Sequence, residues 1–284
     1  MILIADSGST KTDWRILDKG QVVGQVRTVG FNPYYQDTAT IAAELKSVVL
    51  PQVSGNITDI YYYGTGIAND EKATVVRSAL QAVFTTAGLI EVNSDVLGAA
   101  RAACGHSPGI ACILGTGSNS CYFDGEKIDF QVPPLGFWLG DEGSGGHLGK
   151  LLMLAYLHKE MPADIRQLFE AQYGVTDRLQ VLENAYHQPF PNRYFAAFGK
   201  FLHDNIRHQF CDNLVRVSFS AFFEKYILKY PMCHEAELNF VGSVAFYYEQ
   251  LLRKEALKLK LQIGKILMAP IDGLVTFHTT KLLS

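Results

Sequence analysis

The sequence predicts an α/β fold built twice over, and three observations carry that expectation. Residues 2–29 and residues 110–132 share one plan, a strand, a Gly/Ser/Thr-rich turn, a second strand, a tight turn and a third strand. Each meander is followed by strands and helices in alternation, as in lobes of one duplicated fold. Finally, residues 145–230 are rich in helix formers with apolar spacing near 3.6 and read as a helical insertion in the second lobe. The predicted lobes are residues 1–108 and 109–284, divided at Gly105-His106-Ser107-Pro108-Gly109, where Gly and Pro break the preceding helix. The last helix is a candidate to pack on the N-terminal lobe.

Taken in order, Ile2–Asp6, Asp13–Leu17 and Gln21–Val29 alternate as strands around a polar turn and an Asp18-Lys19-Gly20 turn. Next come a strand at Asp59–Tyr63, a helix at Asp70–Ala87, a strand at Leu89–Asn93 and a helix at Val96–Cys104. In the second lobe Ile110–Leu114, Asn119–Phe123 and Glu126–Val132 form the meander. Then follow Glu237–Val241 (strand), Val244–Lys258 (helix), Gln262–Ala269 (strand) and Leu274–Leu283 (helix). One Gly/Ser/Thr turn per lobe suggests a cleft that clamps a polyphosphate and closes over it.

With 284 residues, 48% of them hydrophobic, the chain can bury substantial cores. Its 25 Lys+Arg against 28 Asp+Glu carry no signature of nucleic acid or an anionic membrane, so a small molecule is the expected partner. The expectation is a cytoplasmic protein without a membrane span, with a homodimer open. Cys104, Cys112, Cys121, Cys211 and Cys233 are odd in number and show no CxxC spacing, which argues against a disulfide framework or structural zinc. They read as buried apolar residues, although Cys112 and Cys121 could face each other across a hairpin.

The chemistry-bearing segments are few. In Ala5-Asp6-Ser7-Gly8-Ser9-Thr10-Lys11-Thr12-Asp13 a strand ends at a carboxylate and enters a turn of small residues, whose N–H groups can approach phosphate oxygens. Leu114-Gly115-Thr116-Gly117-Ser118-Asn119 repeats the pattern. Gly242-Ser243 joins a strand to a helix, with Ser243 a potential N-cap. Asp95 lies at a strand-to-helix junction, where it either caps the helix or serves as a base. The segment Gly136-Phe137-Trp138-Leu139-Gly140-Asp141-Glu142-Gly143-Ser144 places an aromatic pair before two acids. It reads either as a capped Gly-rich connection or as a sugar site, since aromatic faces stack on pyranose C–H surfaces and carboxylates bind hydroxyls. Asn32-Pro33 is an ordinary turn signal.

These motifs, in this order, resemble the actin/Hsp70/sugar-kinase superfamily, and within it the N-acetylglucosamine kinase and BadF/BadG/BcrA/BcrD ATPase branch, along essentially the whole chain. The resemblance implies duplicated ribonuclease H-like (actin-like ATPase) lobes, ATP and Mg²⁺. It implies Asp6 as the orienter of hydrated Mg²⁺, and Gly8, Ser9, Thr10, Lys11, Thr12, Gly115, Thr116 and Gly117 around phosphate. Gly242 and Ser243 would lie against adenosine and Asp95 would be the general base. Asn32, Asp95, Ser118, Asn119, Trp138 and Asp141 would lie around a sugar. The implied activity is phosphorylation of an N-acetylated hexosamine such as N-acetylglucosamine. The alternatives are a BadF-type ATPase that activates a partner through an iron–sulfur cluster, and a noncatalytic ATP-dependent binding protein. Gly136-Phe137-Trp138-Leu139 departs from the Gly-Trp-Gly common in the family, which bears on the N-acyl pocket. No GxxxxGK[ST] P-loop and no Cys-rich zinc loop of the ROK sugar kinases occurs.

Overall fold

A computed structural model describes residues 1–8 and 10–280. The chain divides into two compact units. The first comprises Met1–Ser107, Asp124–Ile128 and the chain from Ala269 onward, and the second Pro108–Phe123 and Asp129–Met268.

The first unit begins with β1 (Ile2–Ser7), β2 (Lys11–Asp18), β3 (Gln21–Val29) and α1 (Thr38–Glu44). β4 (Asp59–Gly64), α2 (Asp70–Val83), β5 (Leu89–Ser94) and α3 (Asp95–Cys104) complete its N-terminal run. The second unit takes up the meander β6 (Gly109–Leu114), β7 (Ser118–Phe123) and β8 (Ile128–Phe130), which starts just before its boundary. The helical insertion follows: α4 (Gly136–Leu139), α5 (Gly145–Leu157), α6 (Ala163–Tyr173), α7 (Arg178–Tyr186), α8 (Pro191–Ala196), α9 (Gly199–Asp204) and α10 (Gln209–Lys225). β9 (Leu238–Val241), α11 (Ser243–Tyr247), α12 (Glu249–Lys258) and β10 (Ile263–Leu267) close that unit, and α13 (Ile271–Thr280) returns to the first, packing on α3 and β1.

Duplication is explicit in the sheets. Their strand orders are β3-β2-β1-β4-β5 and β8-β7-β6-β9-β10, so each meander forms one edge and its first strand carries two further strands. β1 pairs antiparallel with β2 and parallel with β4, and β6 pairs antiparallel with β7 and parallel with β9. Parallel strands buried on both faces need apolar side chains in both directions, which Leu3, Ile4, Ala5, Ile60 and Tyr62 supply at full burial. Trp14, Phe31, Ile41 and Leu80 fill the first core, and Leu152, Phe169, Phe219, Phe222 and Phe240 the second.

Several predicted boundaries shift. β2 begins two residues earlier than Asp13, and Glu126–Val132 shrinks to the three-residue β8. The helix predicted at Val244–Lys258 breaks at Tyr248 into α11 and α12. α13 starts at Ile271, and the final part of Leu274–Leu283 lies outside the described residues. Cys112 registers with Ser120 and Cys121 with Ala111, so the two cysteines are not directly opposed. All five cysteines are buried. Among the described residues, no helix is long and apolar enough to cross a membrane.

Candidate functional site

In the first unit, the parallel strands β1, β4 and β5 end together at Ser7, Gly64 and Ser94, which brings Asp6 and Asp95 to the same end of the sheet. Asp6 is raised to about 7, first by burial and then by the neighbouring charges of Asp13 and Asp95, with Lys11 opposing. Asp13 behaves oppositely. Burial pushes it upward, but salt bridges from Lys11 at 2.7 Å and Arg27 at 2.8 Å outweigh that and hold it below the ordinary range.

The β1–β2 turn is closed by Gly8 N–H donating to Lys11 O at 3.0 Å. Gly8 and Thr10 are exposed on it, while Ser9 lies outside the described residues. The Thr12 side chain is turned into the protein. Its hydroxyl is fully buried, lies 2.7 Å from Ser7 Oγ and donates to Val29 O at 3.0 Å, because residues of β2 alternate faces and Thr12 falls on the inner one.

At the β5–α3 junction the N-cap is Ser94, whose hydroxyl accepts from Leu97 N–H at 3.4 Å. Asp95 is therefore the first residue of α3 rather than its cap. Burial raises its carboxyl, although the backbone N–H of Val96 and the Thr65 hydroxyl stabilise its charged form. A carboxylate released from capping and made more basic by enclosure is suited to accepting a proton. Asn32 Oδ1 accepts from Tyr34 N–H at 3.0 Å, an Asx turn that uses its acceptor oxygen.

In the second unit, Gly115 O and Thr116 O accept from Gly145 N–H and Gly146 N–H at 2.8 and 3.0 Å, docking the start of α5 on the β6–β7 turn. Gly242 holds the β9–α11 turn against the same place. Its φ is 125°, and a Cβ there would lie 2.3 Å from Leu114 O, so only glycine permits the approach. Gly242 occupies the N-cap position and Ser243 begins α11, making no side-chain cap bond, so the capping expected of Ser243 does not occur.

Asp141 sits at φ 61°, an uncommon conformation for a non-glycine residue. Its carboxylate is buried and accepts from Ser118 N–H at 3.2 Å. A Cβ on Gly117 would come within 2.9 Å of its Oδ2. Burial raises the Asp141 carboxyl, with Glu142 adding to the rise and Ser118 N–H and Lys150 opposing it. Glu142 is clamped by Lys225 and by Tyr226 OH at 3.1 Å. Burial works against its charge, but these partners hold it below the ordinary range. Ser144 caps α5 by accepting from His147 N–H at 3.1 Å. His147, which the sequence analysis did not single out, shares a 2.7 Å hydrogen bond with Ser218. Burial and the nearby Lys150 push it down to about 4.

Asn119 Oδ1 accepts from Ser120 N–H and Gln131 Nε2, both at 2.9 Å. Trp138 lies on the short α4 and not in an extended loop. It stacks on Tyr186 at 5.4 Å and keeps half its surface exposed.

A cavity of about 550 Å³ in this unit is lined at the turns by Gly115, Thr116, Gly145 and Ser243, and otherwise by residues of α5, α8, α9 and α11. Lys200, His203 and Tyr247 among them were not anticipated.

No family model and no curated protein matches the sequence. Among solved structures, a candidate N-acetylglucosamine kinase from Porphyromonas gingivalis is 43% identical, with a TM-score of 0.94 over 99% of this chain and 100% of that one. A candidate N-acetylglucosamine kinase from Chromobacterium violaceum has the same fold at 16% identity, with a TM-score of 0.73 over 97% and 98% of the two chains. So does a ROK family glucokinase from Streptomyces griseus, solved with glucose and AMPPNP, at 14% identity and a TM-score of 0.58 over 97% of each chain.

Proposed function

The chain belongs to the N-acetylglucosamine kinase-like family of sugar kinases with actin-like duplicated lobes and is a carbohydrate kinase; from that premise we propose that it transfers the γ-phosphate of ATP to a hydroxyl of an N-acetylated hexosamine, N-acetylglucosamine first among them. The observation that carries the reading is Asp95, a carboxyl at the end of a parallel strand whose capping duty Ser94 has taken.

In this reading Asp95 accepts the proton of the attacking hydroxyl as the bond to phosphorus forms. The exposed Gly8 and Thr10, with Lys11, are the phosphate contacts of the first unit, and Gly115, Thr116 and Gly117 those of the second. The Gly8 and Gly115 N–H groups are used within their own turns, so charge on the transferring group would be met by the remaining donors of these segments, the Lys11 ammonium among them. Asp141, held by Ser118 N–H, accepts from sugar hydroxyls. Asn32 contributes its amide as a donor, because its oxygen is used by the turn. Trp138 offers an exposed aromatic face.

The residues also fit Mg²⁺. Asp6 is a carboxylate whose charge burial and the neighbouring Asp13 and Asp95 disfavour, so a cation beside it would offset that cost. Magnesium is commonly held by one or two carboxylates, water and phosphate oxygens, so Asp6 would bind it through water. Bound there, it supplies positive charge to the phosphates.

The test is ADP release screened over hexoses, hexosamines and their N-acetyl forms, with Asp95→Asn beside the wild type. ADP release that depends on an N-acetylhexosamine and is lost in Asp95→Asn supports the reading. Release indifferent to sugar and to the substitution refutes it. The alternative of an activating ATPase with an iron–sulfur cluster shared at a dimer interface would need cysteines at the protein surface, and all five are buried.

A further inference from the structure

The cavity of about 550 Å³ beside Gly115, Thr116 and Ser243 is the size of a nucleoside site, and its remaining walls show how a base would be read. Leu148, Ala196, Val244 and Tyr247 present mainly apolar surface to it. Thr116 and Ser243 sit at the turns, on the phosphate side, and the polar side chains of the opposite wall have partners within the protein. Tyr248 OH donates to Gly199 O at 2.9 Å. Lys200 Nζ pairs with Asp204 Oδ2 at 2.5 Å, and His203 Nδ1 lies 3.7 Å from Asp204 Oδ1.

These three charged or titratable side chains are also open to water, being 74%, 43% and 41% exposed for Lys200, His203 and Asp204. Strong discrimination between ligands that differ in hydrogen-bonding groups arises when the wrong ligand leaves a buried polar group unpaired. A side chain that keeps water and an internal partner loses little whichever base edge it meets. We propose that the enzyme selects its phosphoryl donor by purine shape and by phosphate rather than by the base edge, and so uses ATP, ITP and GTP with similar efficiency. The inference rests on the nucleotide-dependent kinase reading given above and deepens it.

The test is equilibrium binding of ADP, IDP, GDP and CDP to the full chain by titration calorimetry with Mg²⁺ and without sugar, so that it needs no turnover. The purine diphosphates are expected to agree in Kd within about tenfold, which is about 1.4 kcal/mol, with CDP weaker for its smaller ring. Tyr247→Ala, at a half-exposed position, should weaken ADP and GDP by the same factor, and Asp204→Asn should leave their ratio unchanged. An ADP preference over GDP beyond tenfold, a ratio altered by Asp204→Asn, or no nucleotide binding overturns the proposal. A failure of sugar phosphorylation, with the four affinities as expected, strikes at the acceptor reading instead.

Discussion

Asp141 accepts the backbone N–H of Ser118 at 3.2 Å and thereby ties the Gly-rich acidic segment to the turn between β6 and β7. It does so from a left-handed backbone conformation at φ 61°, which costs a non-glycine residue about 1–2 kcal/mol. Strain at a buried carboxylate is tolerated where function needs the group in place. Asp141→Gly should therefore hold its stability or gain up to about 1 kcal/mol in denaturant titrations. The same variant should lose on the order of 10- to 100-fold in kcat/KM for the sugar, the worth of a charge-assisted hydrogen bond, while the KM for ATP stays near that of the wild type.

Asp95 and its neighbour Ser94 should separate cleanly. Ser94→Ala removes the cap of α3 and should cost about 1 kcal/mol of stability with kcat nearly intact. Asp95→Asn leaves the cap and should lower kcat by about 10²–10⁴, with nucleotide affinity retained and stability at neutral pH unchanged or raised, because burial disfavours the native charge. In the wild type, the acid limb of kcat/KM should lie above the ordinary Asp range for the same reason. Paired melts and pH–rate profiles of both variants check this.

Asp6 makes a pH prediction for the metal-free protein. Its carboxyl is raised from 3.8 to about 7, so between those values the native state binds more protons than the unfolded chain, and stability falls as pH rises through that window. The loss should be on the order of a few kcal/mol, and Asp6→Asn should flatten it. Thermal melts of both proteins from pH 4 to 8 in chelator measure the difference. Adding Mg²⁺ with nucleotide should stabilise the wild type at pH 8 more than Asp6→Asn, which gains only from the contacts that do not involve residue 6.

Gly242→Ala places a Cβ 2.3 Å from Leu114 O at a φ of 125°. It should destabilise the protein by about 3 kcal/mol or more and weaken nucleotide binding, read by chemical denaturation and by calorimetry.

Much of this architecture was legible because its signals are local. Gln21–Val29 is bounded by its turns, and the duplicated strand-turn-strand plan needs only pattern. The short α1 was missed although Asp37 caps it by accepting from Thr40 N–H and Ile41, Ala42 and Leu45 line its buried side. That Asp and that spacing were the available signal. The contacts that fix the acidic segment were out of reach, since Glu142 meets Lys225 and His147 meets Ser218 only after the insertion folds back on itself. The cavity residues Lys200, His203 and Tyr247 were hidden likewise, because no sequence period links α9 to α11. The inward turn of the Thr12 hydroxyl was also out of sight, because residue type alone does not say which face of β2 it occupies.

The central claim, that this carbohydrate kinase phosphorylates an N-acetylhexosamine with Asp95 as base, is tested most directly by following the γ-phosphate of ATP with mass spectrometry of the sugar product. The account predicts N-acetylglucosamine phosphate formed in equal amount with ADP by the wild type, and neither by Asp95→Asn despite intact nucleotide binding. ADP formed at the same rate without sugar, or product formed undiminished by Asp95→Asn, would contradict it.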